Sequence, residues 1–137
     1  MSIQGHGLDL IECSRIKAVL DRHGERFLKR VLTPAEQERA SQFKHPIPYI
    51  AGRWAAKEAI LKMMGTGWRG RIAWTDMEIL PDRLGQPVVT LSGETARIAA
   101  EKSIGRVLLS ITHTEHYAAA SAIGVSEPAN GSNAMPR

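Results

Sequence analysis

The chain has 137 residues, 43% of them hydrophobic and 23% charged, which is the size and composition of one globular domain and not of a disordered segment. No stretch is long and apolar enough to span a bilayer, and a single cysteine, Cys13, excludes an intrachain disulfide. The net charge of +4 suits an anionic partner (nucleic acid, anionic lipid, a phosphorylated small molecule or an acidic protein) but chooses none of them, and it also suits simple solubility. The first ten residues lack the basic start and long apolar run of a secretory signal, so a cytoplasmic protein is expected.

Ile3 to Ile11 reads as a strand in which Gly5, Gly7, Asp9 and Ile11 share one face by the period of two. Two glycines on that face leave room for something to approach the backbone. A helix follows from Ser14 to about Leu20, with Gly24 able to end it, and a short helical piece covers Glu25 to Val31. Thr33-Pro34-Ala35-Glu36 is a helix start: Thr33 caps, Pro34 suits the first helical position and Glu36 completes a capping box. The main helix runs from Ile50 to Met64, stopped by Gly65 and Gly67. Ile72 to Leu80 and Pro87 to Leu91 read as strands joined by a turn, Glu94 to Ser103 as a helix closed by Gly105, and Val107 to Thr112 and Tyr117 to Val125 as two apolar strands. The expected class is α+β, a largely antiparallel sheet packed against a long central helix. Residues 1–125 form one domain, and the Ser-, Asn-, Pro- and Gly-bearing end, 126–137, is expected to be a mobile tail.

The main helix carries the chemistry. Ile50, Trp54 and Leu61 share one side, Ile60 and Met64 lie beside them, and Ala55, Ala59 and Met63 cover the opposite side. A helix apolar nearly all round is a buried one. Arg53, Lys57, Glu58 and Lys62 nevertheless sit among these groups, and charge in such a place is costly unless paired or bound to a ligand. Glu58 and Lys62, four apart, could be a plain intrahelical ion pair. Arg53 and Lys57 have the same spacing but like charge, which hints at an anion between them. Asp9, near the end of an apolar strand, could simply close the strand or cap a helix. With Glu58 it could instead hold a hard cation, because magnesium takes carboxylate oxygens, water and substrate phosphates.

Four segments, GLDLIECSRI, RFLKRVLTPAE, AGRWAAKEAILKMMGTG and LSITHTEHYAAA, together resemble the small bacterial 4′-phosphopantetheinyl transferases, the holo-acyl-carrier-protein synthase family. The likeness runs from about Ile3 to about Val125. It implies an α+β fold assembled as a homotrimer, with active sites between neighbouring subunits. It also implies magnesium-dependent transfer of phosphopantetheine from coenzyme A to a serine of apo acyl carrier protein, in fatty acid biosynthesis, with release of adenosine 3′,5′-bisphosphate. Carried over by motif, Asp9 and Glu58 would be the metal ligands, and Lys62 would neutralise phosphate charge. Arg53, Lys57, Lys62 and His113 would line the coenzyme A site, with Gly65 and Gly67 letting backbone lie close to the nucleotide. Arg15, Arg22, Arg26 and Phe27 would receive the carrier protein. Trp54 stands where another aromatic, often Phe, is usual in the family.

On this reading catalysis is mostly positioning and charge neutralisation. Glu58 is the first candidate for the base that takes the serine proton, and His113 the second. Arg15, Arg22, Arg26 and Lys29, spaced by seven, four and three, can line one helical side and steer an acidic partner if the segment is continuous. A nucleic-acid-binding module is the best non-enzyme rival, but only Phe27 is interleaved with the basic residues, and stacking platforms need more. A purely structural trimer leaves the charges of the main helix unexplained. His113 and His116 lack the further ligands a zinc site needs, and Cys13 has no argued base partner.

Overall fold

The structure, a computed structural model, describes residues 1–127. Strand β1 (Ile3–Glu12) runs without a loop into α1 (Cys13–His23), followed by α2 (Glu25–Val31), α3 (Pro34–Ala40) and the 18-residue α4 (Ile47–Met64). A single 3-10 turn at Trp74–Asp76 precedes β2 (Met77–Pro81) and β3 (Pro87–Leu91); α5 (Gly93–Glu101), β4 (Arg106–His113) and β5 (Tyr117–Val125) complete the described chain. The strands form two antiparallel sheets, one ordered β1-β5-β4 and the other pairing β2 with β3. The expected α+β class with a central helix holds.

The differences in boundaries have local causes. Helix α4 begins three residues before the expected Ile50, because Pro48 has the backbone angle of a first helical turn and costs no hydrogen bond there. The stretch read as one strand from Ile72 is broken by the 3-10 turn, whose Asp76 carboxylate accepts the Ala73 amide at 3.2 Å. The capping box at Thr33 and Glu36 is formed as read, with Glu36 N–H donating to Thr33 Oγ1 at 3.2 Å and Thr33 N–H to Glu36 Oε1 at 2.9 Å. The basic segment from Arg15 to Lys29 is not one helix. Gly24, at φ +55°, divides it, its amide bonded back to the Leu20 carbonyl. Of the 126–137 stretch expected to be mobile, Ser126 and Glu127 are held, by a hydrogen bond from the Ser126 amide to the Ser2 carbonyl and a 3.4 Å ion pair between Arg106 and Glu127. The remainder, 128–137, lies outside the described residues.

Helix α4 crosses one face of the three-stranded sheet diagonally. Near its start Gly52 lies against Ile111 of β4, and near its end Ala59 and Met63 lie against Gly7 and Gly5 of β1. The space left by the two glycines is therefore filled by the helix backbone itself. Eleven residues of α4 are buried, and with Ile11, Ala118, Ala120 and Ala122 of the sheet they form the core. The opposite face of the sheet has no cover from the described residues: Leu8 is 60% exposed and Leu10 65%. At one end of the core an aromatic ladder runs Phe27–Trp54–Trp74–Trp68, with ring centroids 6.0, 4.7 and 6.0 Å apart, and Arg30 lies 5.4 Å over the last ring.

Candidate active site

Asp9, Glu58 and Lys62 come together where the end of α4 meets β1. The pairing of β1 with β5 aligns Asp9 with Ala120, on the face that α4 covers. Lys62 lies four residues beyond Glu58 but turns to the strand, its Nζ donating to Asp9 Oδ1 at 3.0 Å and to the Leu8 carbonyl at 3.0 Å. The simple intrahelical Glu58–Lys62 pair is thus not formed. Asp9 neither caps a helix nor closes the strand; Glu12 occupies the position before α1. Burial pushes the Glu58 carboxyl above its usual pKa range, the Asp9 carboxylate pushes it further, and Lys62 opposes both. A carboxyl whose ionised form is disfavoured beside a second carboxylate belongs to a donor set that a cation would relieve.

This set suits a hard divalent ion. Among the described residues no three His, Cys, Asp or Glu side chains converge as a complete metal cage. Magnesium needs no such cage, since it keeps several waters and is held by one or two carboxylates plus substrate phosphates.

Arg53 and His113 lie elsewhere, near the start of α4. They share a cavity of about 340 Å³ with Tyr49, Gly52, Ile111, Phe43 and His45 among its walls. The Arg53 guanidinium sits 4.3 Å from the Tyr49 ring, and its Nε is buried with no hydrogen-bond partner among the described residues. The Tyr49 hydroxyl is held above its usual pKa by burial, with Arg53 pulling the other way. His113 ends β4, aligned with Ala118 of β5, while Asp9 is in β1 on the far side of β5. Two strand spacings, roughly 10 Å, and the body of α4 therefore separate the two groups. Within one chain the residues expected at a single site therefore fall into two groups on opposite flanks of one helix.

Lys57 corrects the sequence reading. Expected beside Arg53 on the coenzyme A site, it is instead fully buried, its Nζ donating to Glu36 Oε1 at 2.7 Å and to the Val31 carbonyl at 2.6 Å. The anion inferred between Arg53 and Lys57 is, for Lys57, an internal carboxylate. Burial lowers the Lys57 ammonium pKa, and the Glu36 charge opposes that. Gly65 closes α4 at φ +78° and Gly67 also has positive φ, at +63°. Gly65 opens onto a second cavity of about 380 Å³ with Thr66, Arg69, Arg97 and Lys102. Arg15, Arg22 and Arg26 are exposed and Phe27 is half-buried against Trp54. Arg15 and Arg22, seven apart on α1, share a face, whereas Arg26 belongs to α2 and lies 3.3 Å from His23. Sequence reading missed the partner of Lys57. The available signal was that a lysine in an apolar helix needs a carboxylate, and Glu36 was assigned only its local capping role.

This is the architecture of a phosphopantetheinyl-transferase-type domain, and comparison with known proteins agrees. The sequence matches the 4′-phosphopantetheinyl transferase superfamily over residues 5–122, and the chain belongs to that family. It is 44% identical over 119 residues to the holo-[acyl-carrier-protein] synthase of Caldanaerobacter subterraneus, covering 87% of this chain and 92% of that one. The crystal structure of holo-[acyl-carrier-protein] synthase from Neisseria meningitidis superposes with a TM-score of 0.84 at 34% identity, covering 91% of this chain and all of that one. The Bacillus anthracis holo-(acyl-carrier-protein) synthase in complex with CoA (3′,5′-ADP) superposes with a TM-score of 0.77 at 34% identity, over 91% of this chain and 98% of that one.

Proposed function

We propose that this chain is a magnesium-dependent holo-acyl-carrier-protein synthase. It moves the 4′-phosphopantetheine group of coenzyme A onto a serine hydroxyl of an apo acyl carrier protein in the cytoplasm, in fatty acid biosynthesis. The serine oxygen forms a bond to the phosphorus that carries the pantetheine arm, the bond from that phosphorus to the bridging oxygen breaks, and adenosine 3′,5′-bisphosphate leaves with the electron pair. The observation that carries this reading is the convergence of Asp9, Glu58 and Lys62 beside β1 in a chain whose relatives bear this activity in their names. A magnesium ion held by Asp9 and Glu58 would supply positive charge to the diphosphate as it becomes a leaving group. Lys62 adds a second positive charge, and its present bond to Asp9 keeps it at the site. Glu58, with its raised pKa, is the first candidate to take the serine proton; His113 is the second.

The functional unit in this reading is a homotrimer whose active sites lie between subunits. Two features support it. The Asp9–Glu58–Lys62 half-site and the Arg53–His113 half-site lie on opposite flanks of α4, so a complete site needs the two flanks of different copies. The uncovered sheet face, with Leu8, Leu10 and Leu108 exposed, is an apolar surface of the kind subunits bury. The basic residues Arg15, Arg22 and Arg26 then receive an acidic carrier, with Phe27 beside them. Among the described residues no helix is long and apolar enough to cross a membrane.

The direct test is mass spectrometry of apo acyl carrier protein incubated with this protein, coenzyme A and magnesium. The expected result is the mass gain of one phosphopantetheine arm, lost with EDTA and with Asp9→Ala. No gain from a well-folded sample with several carrier proteins would overturn the reading.

A further inference from the structure

We propose that Glu36 and Lys57 are positioning residues, which together hold the metal-binding face of α4 and the carrier-facing helix α2 in one fixed frame. This rests on the reading of Asp9 and Glu58 as metal ligands. The buried pair gathers four elements. Glu36 Oε1 accepts from Lys57 Nζ of α4 at 2.7 Å and from the Thr33 amide at the head of α3 at 2.9 Å, while Oε2 accepts from the Ile79 amide of β2 at 2.8 Å. Lys57 Nζ also donates to the carbonyl of Val31, the last residue of α2, at 2.6 Å. Both side chains have zero exposure. Thr33 Oγ1 is in turn bonded to Glu78 of β2 at 2.6 Å.

The consequence is rotational. Successive helical residues turn by about 100°, so pinning Lys57 to Glu36 fixes where its neighbours point. Glu58 stands about 100° further round the helix and Lys62 about 140° round, on the flank toward β1, where Lys62 is indeed found on Asp9 and Leu8. Arg53 stands about 40° the other way, in its cavity beside His113. One buried pair thus sets the azimuth of both half-sites. Because the same ammonium holds the end of α2, it also sets the distance from Arg26 and Phe27 to Glu58. A hydrophobic residue in place of Lys57 would fill the volume but leave the rotation to softer packing. Buried ion pairs are often no more stabilising than apolar replacements, which makes geometric definition the more informative property of this one.

The test uses the full chain carrying Lys57→Met with Glu36→Gln, and separately Glu36→Asp. The first removes both charges together; the second keeps the pair and draws the carboxylate back by one methylene. Fold is followed by circular dichroism, and manganese binding without substrates by calorimetry and by electron spin resonance of the bound ion. Wild type should bind manganese and Asp9→Ala should not; failure of that control sinks the metal reading itself. Given the control, the folded variants should bind manganese about tenfold more weakly, the size of effect seen when groups that orient metal ligands are removed, and should have a raised KM for the carrier. If the double variant does not fold, Glu36→Asp decides. Wild-type manganese affinity and carrier KM in whichever variant folds would show that the pair serves stability alone, as would a Glu36→Asp chain whose only defect is a lowered melting temperature.

Discussion

Gly7 of β1 lies beneath the carbonyl oxygen of Ala59 in α4, so close that a β-carbon there would fall inside contact distance of that oxygen and 2.6 Å from the Met63 amide nitrogen. Both obstacles are backbone and neither can swing aside. Asp9 is two residues along the strand from Gly7, on the same face, and Glu58 adjoins Ala59. The glycine thus sets how near the two carboxylates lie. Gly7→Ala should cost about 1–3 kcal/mol of stability, read from urea unfolding, and should weaken divalent-ion binding in the fraction that folds. A variant of unchanged stability would mean that the strand and helix can part without cost.

Glu58 supplies a pH prediction. Its folded pKa is raised by burial and by Asp9, so it lies above the unfolded value. For a carboxyl the sign is then that stability is lost as pH climbs through the unfolded and then the folded pKa, because the folded state disfavours the ionised form. Glu58→Gln should therefore raise the melting temperature of the metal-free protein at neutral pH while greatly reducing activity and magnesium dependence. In wild type, the acid limb of metal binding should sit above the ordinary carboxylate range. Titration of the Glu58 carboxyl by NMR checks the direction. Full activity of Glu58→Gln with normal magnesium dependence would remove Glu58 from the site.

Arg15 and Arg22 share one face of α1 and are exposed. Replacing both with Glu should raise the KM for an acidic carrier protein by about tenfold or more, since like charge at a docking face costs several kcal/mol, and leave the KM for coenzyme A unchanged. Equal losses for both substrates would count against a docking role.

The two half-sites predict complementation. A chain carrying Asp9→Ala and a chain carrying Arg53→Ala with His113→Ala should each be inactive alone. Refolded together they should recover part of the wild-type rate, because a mixed assembly can join the intact flank of one copy to the intact flank of another. Co-refolding that yields mixed assemblies without activity would place both half-sites in a single chain.

Much of the fold is legible in the sequence because its signals are local. The capping box at Thr33 and Glu36, the glycine stop after Met64 and the period of two in β1 each operate over a few residues. The same locality explains the misses. Lys57 and Glu36 are 21 residues apart, and nothing in their spacing joins them; only the α3–α4 packing does. Lys62 looks paired with Glu58 on a helical wheel, but the choice of Asp9 depends on how closely β1 packs against α4. The basic run from Arg15 to Lys29 reads as one stripe until Gly24 takes a positive φ and turns the chain. The resemblance implies sites shared between subunits, but which residues fall on which flank of α4 was hidden, since that is set by the strand order β1-β5-β4.

The aromatic ladder makes the protein a local optical instrument. All three tryptophans of the chain, Trp54, Trp68 and Trp74, belong to that one ladder. Intrinsic emission therefore reports on the seam joining α2, α4 and the 3-10 turn, where Phe27 is the next ring, and almost nothing else. A carrier protein settling near Phe27 should shift the emission directly. An ion arriving at Asp9 and Glu58 can alter it only by moving α4 itself.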